Sequence, residues 1–341
     1  MPRRWFRCQF IIACFPLLLL AVAPALAQPA TPPPTPTPFI GLAADVFQRA
    51  RGELEAGDYS TALLDFSLYL ALNPASSQAY FGQALSLLSL ERPEDALQSI
   101  EHAIQTAPDH AGFRAALLTA QAQIQLALDQ PEAAIASLNA AVELEPTALN
   151  YASRARLLAG QEDYAAAIAD LDTAIELTPD DPALYLQRAL LHNRVQDPTA
   201  AGADYFQYIN AIGVNIGRND PLTPEVAAFS TLEEGLVLVF PFEGRAGQTA
   251  TIAAIARPGD PVDPLIVLIG PSGQPLAGDD DGGGNFDSLL RDVPLPSDGT
   301  YTVLLTHAMG GSAGQVAIAV QLSGMPERTP AEPAPGGKPG R

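Results

Sequence analysis

The chain has 341 residues and a formal net charge of -20, and its single lysine, Lys338, lies near the C-terminus. So acidic a surface repels phosphate groups, which argues against nucleic acid and anionic lipid surfaces as partners. Hydrophobic residues make up 48% of the chain, which is enough for one large or two ordinary globular domains.

Residues 1–27 have the layout of a signal peptide. Three arginines, Arg3, Arg4 and Arg7, precede the apolar run FIIACFPLLLLAVAPALA, which ends in an A-x-A cleavage pattern. Both cysteines lie in this segment, so we expect no disulfide in the mature protein. We therefore expect an extracytoplasmic protein, which is periplasmic, secreted or at the cell surface. A membrane is a partner only if the apolar run is retained as an anchor.

Two further segments lack the apolar pattern of a folded domain. Residues 28–40 are rich in proline and threonine, and they are predicted to form an extended linker. Residues 325–341 are rich in proline, glycine and charged residues, and they are predicted to form a disordered tail.

The sequence repeats between residues 41 and 213. Amphipathic stretches end at prolines spaced by 34, 38 and 33 residues, which are Pro74, Pro108, Pro146 and Pro179. A small residue lies twelve positions before each proline, at Ala62, Ala96, Ala134 and Ala167. Small side chains let two helices approach closely, and proline ends a helix because it has no backbone N–H. The pattern predicts about five helix pairs.

This segment resembles the tetratricopeptide repeat. The small residue of the family's first helix appears as Ala50, Ala84, Ala122, Ala155 and Ala189. Its G-x-Y turn appears in GDYSTAL, which starts at Gly57. The resemblance implies a right-handed α-solenoid whose inner surface binds protein or peptide partners. The third pair has about four additional residues near DHAGF, and the last pair lacks the closing proline, as a capping repeat would.

The resemblance also implies which side chains line the inner surface. The mapped positions are Phe47, Arg51, Phe81, Leu85, Gln123, Arg156, Asn193 and Arg194. QRAR at 48–51 and SRAR at 153–156 occupy equivalent places, and an arginine can bind an acidic peptide through paired hydrogen bonds. The alternative is that these arginines only pair with neighbouring acidic side chains. The lysines of the family's carboxylate clamp are missing, so that subgroup's specificity is not expected.

Residues 214–225 are predicted to be a hinge, and the pattern changes after it. Five short stretches with β-branched or alternating apolar residues follow, separated by Gly, Pro and Asp turns. They are GLVLVFPFEG, QTATIAAIA, PLIVLIG, GTYTVLLTHA and GQVAIAVQLS. The pattern predicts an antiparallel β-sandwich over residues 226–324.

The stretch AGDDDGGGNFDSLL, residues 277–290, is the candidate chemical feature of this second region. Its carboxylates are consecutive and no glutamate follows, so it does not match the calcium loop of an EF-hand. GGGNFDSLL approaches the nonapeptide of calcium-binding β-rolls, but that motif acts in tandem and only one copy is present.

Residues 235–323 resemble the bacterial pre-peptidase C-terminal domain. The shared pattern is a D-P strand, a glycine turn, an aspartate cluster with glycines, and L-P-x-x-G-x-Y; Val316 departs from it where an aromatic residue is common. The resemblance implies a non-catalytic sandwich appended to exported proteins. Related sandwiches bind calcium and matrix polymers, so calcium is the candidate cofactor. The candidate oxygen ligands are Asp263, Asp279, Asp280, Asp281, Asn285 and Asp287. The alternative is a solvated tight turn.

No catalytic site is predicted. The four histidines are scattered without metal-ligand spacing, and GPSGQ lacks the last glycine of a nucleophile elbow. His110 and His307 are expected at the surface or in turns. The sequence therefore predicts an exported, non-enzymatic adaptor that binds a protein or peptide. The alternative is an accessory subunit of an exported hydrolase whose β-domain binds matrix or polysaccharide. The oligomeric state is left open.

Overall fold

The computed structural model describes residues 38–212, 215–284, 287–308 and 313–324. The predicted signal peptide and tail lie outside the described residues, as does the linker up to residue 37. The helices of the described chain are α1 (Pro38–Ala56), α2 (Tyr59–Leu72), α3 (Ser77–Ser89), α4 (Pro93–Thr106), α5 (Ala111–Ala127), α6 (Pro131–Leu144), α7 (Ala148–Gly160), α8 (Tyr164–Leu177), α9 (Pro182–Arg194) and α10 (Pro198–Ala211).

The strands of the described chain follow the helices. They are β1 (Asn215–Arg218), β2 (Ala228–Leu232), β3 (Leu236–Gly244), β4 (Thr249–Ala256), β5 (Pro264–Ile269), β6 (Pro275–Asp279), β7 (Ser288–Pro294), β8 (Gly299–His307) and β9 (Gly314–Ser323). Within the described ranges, no helix combines the length and the apolar character that crossing a membrane requires. The order of elements confirms the predicted fold class, in which a helical solenoid precedes a two-sheet β-region.

Local chemistry determines where the helices begin. The carboxylate of Asp58 accepts a hydrogen bond from the backbone N–H of Thr61 at 3.2 Å, and Ser76 and Thr147 cap α3 and α7 in the same way. Other helices open on proline, as α4 does at Pro93. Proline is tolerated there because its missing N–H would have no partner inside the helix.

The turns inside the five helix pairs share one backbone conformation. Each has a residue with positive φ at the equivalent place: Gly57 (80°), Glu91 (57°), Asp129 (62°), Glu162 (66°) and Gln196 (60°). This left-handed region is strained for every residue except glycine. The turn that the sequence shows clearly only at Gly57 is therefore present in all five pairs.

Small side chains form the contact within each pair, as the repeat pattern predicts. The ten positions are at most 3% exposed: Ala50, Ala62, Ala84, Ala96, Ala122, Ala134, Ala155, Ala167, Ala189 and Ala201. Helix α3 also lies close to α2, because a Cβ added at Gly82 would lie 2.2 Å from Cζ of Phe66. Van der Waals packing of this density leaves no room for larger side chains.

The chain divides into two compact units after Ala174, within α8. The second unit contains α9 and α10 together with all the described strands. Residues 214–225, predicted to be a hinge, include β1 and lie inside this unit. The predicted domain bounds stay a prediction. In the structure, α10 packs against β6, because a Cβ added at Gly202 would lie 2.4 Å from the backbone of Ala277.

The strands form two sheets. The five-stranded sheet has the order β1-β3-β8-β5-β6, and the four-stranded sheet has the order β2-β9-β4-β7. Every pairing is antiparallel except that of β1 with β3, which is parallel. Within residues 226–324 every described pairing is therefore antiparallel, as predicted. The parallel strand β1 lies in the segment that was predicted to be a hinge, because NIGR is too short and too polar to indicate a strand.

Strand β5 is buried on both faces, and this explains the unbroken apolar run PLIVLI. Ile266 and Leu268 point into the core between the two sheets. Leu265 and Val267 belong to a second apolar cluster, which includes Tyr205 of α10. One face of the five-stranded sheet therefore packs on the four-stranded sheet, and the other face packs on the last helix pair.

Candidate functional site

The predicted inner-surface residues differ widely in exposure. Phe81 and Leu85 are buried, with 8% and 3% of their surfaces exposed, and so little of either side chain is accessible to a partner. Phe47 is half-buried and packs on Tyr69, with ring centroids 4.9 Å apart. The apolar members of the predicted groove therefore contribute mainly to helix packing. Gln123 is half-buried and retains some exposed surface.

The two arginines singled out by the sequence have different surroundings. Arg51 forms an ion pair with Glu55 on the next turn of α1, with 3.7 Å between Nη2 and Oε1. Arg156 is exposed on α7, and its guanidinium makes no hydrogen bond or ion pair with the residues that the structure describes. Of these two arginines, Arg156 is therefore the one whose guanidinium is available to a ligand.

Asn193 and Arg194 lie in the second unit, at the end of α9. The Asn193 amide donates hydrogen bonds to Oδ1 of Asp280 at 2.8 Å and to the hydroxyl of Tyr205 at 3.0 Å. Arg194 is exposed and favours the charged form of Asp281. Asn193 therefore connects the last helix pair to the acidic segment, residues 277–290.

A different set of arginines is used inside the helix pairs. Arg154 donates hydrogen bonds to both carboxylate oxygens of Asp170, at 2.8 and 2.7 Å. Arg188 binds Asp204 in the same way, at 2.8 and 2.6 Å. Arg49 of α1 pairs with the buried carboxylate of Asp65 in α2. The hydrogen bond from Arg49 lowers the pKa of Asp65, and Asp170 raises the pKa of Arg154 through its hydrogen bond.

In the two remaining helix pairs, α3–α4 and α5–α6, a glutamine and a serine take the place of the arginine and the aspartate. Ser99 donates a hydrogen bond to the Gln83 carbonyl at 3.0 Å. The Ser137 hydroxyl lies 3.3 Å from the Gln121 carbonyl and 2.8 Å from that of Gln125, and so it shares its proton between them. In all five pairs the partners are 16 residues apart, so each helix pair has one polar bridge at the same place. The sequence contains this signal, because the first partner always precedes the small residue of the first helix. In QRAR and SRAR the bridging arginine is the first one, Arg49 or Arg154, whereas the sequence prediction concerned the second, Arg51 or Arg156.

Three aspartates of residues 277–290, namely Asp279, Asp280 and Asp287, accept hydrogen bonds through their carboxylates. Asp279 is 8% exposed and accepts from the backbone N–H groups of Gly282 at 2.8 Å and Leu289 at 2.7 Å. Asp287 accepts from the backbone N–H of Ala256 at 2.9 Å. Burial raises the pKa of Asp279 to about 6, although these two hydrogen bonds act in the opposite direction.

Asp263 lies at the start of β5, and its Oδ1 is buried with no hydrogen-bond partner in the described structure. Burial, together with the charges of Asp281 and Asp280, raises its pKa to about 7. Asp263 and Asp287 line one cleft of about 590 Å³. A buried carboxylate oxygen without a donor suits a hard cation.

The candidate ligands as a set do not converge. Within the described ranges, no group of three or more His, Cys, Asp and Glu side chains is arranged to hold a metal ion. Asn285 lies outside the described residues. In the described residues, Oδ1 of Asp263 thus has no hydrogen-bond partner, whereas Asp279 and Asp280 accept hydrogen bonds from other groups of the protein. Calcium binding stays a prediction.

The four histidines lie apart from one another, and each is in contact with or buried among neighbouring residues of its own region. His110 caps α5, and its Nδ1 accepts a hydrogen bond from the N–H of Phe113 at 3.1 Å. His102 stacks on Tyr80 with ring centroids 5.1 Å apart, and His192 lies 3.7 Å from the carboxylate of Asp204. His307 is 4% exposed at the end of β8, so its expected surface position is wrong. Burial lowers the pKa of His307, which favours the neutral ring.

Comparison with known proteins identifies the helical part. Residues 47–111 and 152–213 match one tetratricopeptide repeat model, and residues 115–147 match another. This part of the chain therefore consists of tetratricopeptide repeats, as the sequence predicts. No curated protein sequence matches the chain. The matched segments end at residue 213, so the resemblance of the β-region to a pre-peptidase C-terminal domain stays a prediction.

Several solved structures are similar to this chain at low identity. MamA from Desulfovibrio magneticus RS-1 is 16% identical, with 50% of this chain and 94% of that chain covered and a TM-score of 0.44. PilF from Pseudomonas aeruginosa is 18% identical, with 51% and 78% covered and a TM-score of 0.45. YrrB, a tetratricopeptide protein with an unusual peptide-binding site, is 18% identical, with 50% and 86% covered and a TM-score of 0.39.

Proposed function

We propose that the protein is an exported, non-enzymatic adaptor that binds a protein or peptide partner through the first helices of its repeats. The observation that carries this proposal is Arg156, an exposed guanidinium without an ion pair to the described residues, in a chain with 38 acidic and 18 basic side chains. In so acidic a chain, a basic group that stays unpaired is available for an external anion.

Two exposed leucines on the first helices of the repeats favour a partner segment that is both acidic and aliphatic. Leu149 lies two helical turns before Arg156 on the same face of α7, and it is 50% exposed. Leu126 lies on α5, three residues after Gln123, and it is 46% exposed. A guanidinium can bind a carboxylate through two hydrogen bonds, and exposed leucines gain free energy when a ligand covers them.

A pair of charge reversals tests this proposal. Arg156→Glu, in the protein without its signal peptide, should lower affinity for captured partners at least tenfold, since a charge-assisted hydrogen bond contributes roughly 1.5–3 kcal/mol. Arg51→Glu should have a smaller effect because Arg51 is already paired with Glu55. The matched control is Arg92→Glu, because Arg92 is exposed and paired with Asp95 outside the predicted groove. Equal partner capture by all three variants would place binding elsewhere.

The β-region is proposed to be a pre-peptidase C-terminal-like accessory domain. The geometry of the L-P-x-x-G-x-Y segment supports this: the Tyr301 hydroxyl donates to the carbonyl of Ser297 at 2.7 Å, and its ring stacks on Phe242 at 5.6 Å. The tyrosine thereby closes a corner of the sandwich, and nothing in this arrangement requires a catalytic group.

One surface favours the alternative, in which the β-region attaches a hydrolase complex to a polymer. Phe229 and Ile255 are 80% and 48% exposed, and both are paired in register with Ala317 of β9. The three side chains form an uncharged row across the four-stranded sheet. Phe229→Ala should abolish retention on insoluble polysaccharide or collagen, whereas Thr231→Ala on the same strand should not. Absence of retention by the unmodified protein would reject this alternative.

Export is proposed from the N-terminal pattern. Sequencing of the mature protein from the extracytoplasmic fraction should start at Gln28, after the A-x-A pattern. An intact N-terminus in the membrane fraction would instead indicate a retained anchor.

A further inference from the structure

An apolar cleft lies beside the first turn of α5. This helix has 17 residues, whereas α3, α7 and α9 have 13 each. The additional turn corresponds to the insertion near DHAGF, which distinguishes the third repeat from the second, fourth and fifth. His110 caps this turn through its hydrogen bond from the N–H of Phe113. The insertion therefore produces ordered structure at the edge of the repeat array.

The cleft has the size and the lining of a ligand site. Its volume is about 390 Å³, and its apolar lining consists of Ile104, Leu117, Leu118 and Leu144. Ligand sites typically have volumes of about 300–1,000 Å³, mostly apolar walls and few polar groups. Leu144, the last residue of α6, is 41% exposed. Apolar surface therefore remains available at the rim of the cleft.

Arg114 provides the basic group of the cleft. Its side chain is half-buried, lines the cleft, and makes no hydrogen bond or ion pair with any residue in the described ranges. Arg154, in contrast, is held by the carboxylate of Asp170. An unpaired guanidinium beside an apolar surface in a chain of net charge -20 indicates a site for an external carboxylate.

This cleft is separate from the predicted groove. Gln123 lies nine residues after Arg114 on α5, which is about two and a half helical turns, so the two side chains lie on opposite faces of the helix. A ligand at Arg114 therefore does not occupy the surface around Gln123 and Arg156.

We propose that the cleft docks a short aliphatic segment of a partner protein that carries one carboxylate, and that this carboxylate pairs with Arg114. Aliphatic side chains of the segment cover Leu118 and Leu144, and the guanidinium fixes the direction of the segment. Asp109 also lines the cleft, so a second carboxylate is disfavoured. A second copy of this chain is a poor occupant, because two chains of net charge -20 repel one another.

The test uses a random heptapeptide library displayed on phage, selected on the protein without its signal peptide. Parallel selections use the unmodified protein, Arg114→Glu, and Arg92→Glu as the matched control. A further selection on Arg156→Glu distinguishes peptides that bind this cleft from peptides that bind the predicted groove. The best synthetic peptide is then titrated by fluorescence anisotropy, together with a version in which its acidic residue is replaced by the amide. Thermal unfolding followed by circular dichroism verifies that each variant folds.

The proposal expects enrichment of peptides with one acidic residue next to aliphatic residues. Arg114→Glu, and separately the amide version of the peptide, should each weaken binding about tenfold, whereas Arg92→Glu and Arg156→Glu should leave it unchanged. Leu144→Gln should also weaken binding. The proposal is overturned by enriched peptides without an acidic residue, by affinity that is insensitive to Arg114→Glu, or by a change of oligomeric state in that variant, which would identify a second copy as the occupant.

Discussion

The polar bridge between α7 and α8 can be tested by replacing it with the bridge that two other repeats use. Arg154 donates two hydrogen bonds to Asp170, which is only 6% exposed. Arg154→Gln leaves that carboxylate buried with at most one donor from the new amide. Breaking a fully buried pair costs about 3–5 kcal/mol, and the Arg154 side chain is 22% exposed, so we expect a loss of about 2 kcal/mol.

The double replacement should restore most of that loss. Arg154→Gln with Asp170→Ser recreates the neutral bridge of the second repeat, in which Ser99 donates to Gln83 at 3.0 Å. No buried charge then remains, so the double variant should lose less than about 1 kcal/mol.

Urea unfolding followed by far-ultraviolet circular dichroism measures both effects. A loss of about 2 kcal/mol shifts the midpoint by roughly 1 M, given a typical dependence of about 2 kcal/mol per molar urea. Mature protein lacks tryptophan if Trp5 is removed with the signal peptide, so fluorescence is less informative. The single variant Asp170→Ser is measured as well. If the double variant loses as much free energy of unfolding as Arg154→Gln and Asp170→Ser together, the charged and neutral bridges are not interchangeable.

Three further predictions concern single positions. Gly82→Ala should lower the free energy of unfolding by about 2 kcal/mol or more, because the methyl group overlaps the ring of Phe66, and an unchanged urea midpoint would contradict the packing. Glu162→Gly should raise it by about 0.5–1 kcal/mol by removing left-handed strain, whereas Ala159→Gly inside α7 should lower it. The raised pKa of Asp263 means that the folded state binds this proton more tightly, so the stabilisation contributed by Asp263 is fully present below about pH 4 and is lost as the pH rises through about 7. Asp263→Asn should weaken this dependence without abolishing it, because burial also raises the pKa of Asp279 to about 6. The variant should be about 1–2 kcal/mol more stable at pH 8 after allowance for solvent screening, and thermal melts from pH 4 to 8 with an unchanged slope would contradict this prediction.

The helical part was predictable because its signals are local and repeated. The two alanines at the contact of each helix pair are twelve residues apart in all five pairs, and each is buried. The turn conformation was recognised only at Gly57, because Glu91 and Gln196 adopt the same left-handed backbone with residues that ordinarily avoid it. Tertiary contacts override local preference at those turns.

The β-region was predicted less completely. Five strands were recognised from their alternating or apolar runs, whereas β1, β2, β6 and β7 are short or polar. Strand β6 contains Asp279, for which the sequence indicated a calcium ligand or, as the alternative, a solvated tight turn. The structure accommodates that carboxylate with two backbone N–H donors, one of which comes from Leu289 ten residues later. No local pattern contains that information.

The sequence by itself determined the class of each region: a repeated amphipathic pattern with small residues at fixed spacing can bury its apolar stripe only by stacking helix pairs, and alternating short segments can do so only in sheets. Only the tertiary structure decided which polar groups remain free. Asn193 and Asp280 are 87 residues apart in the chain, yet the amide of Asn193 donates a hydrogen bond to the carboxylate of Asp280 at 2.8 Å. Whether a charge is available to a ligand depends on the side chains that surround it, and chain positions far apart supply those neighbours.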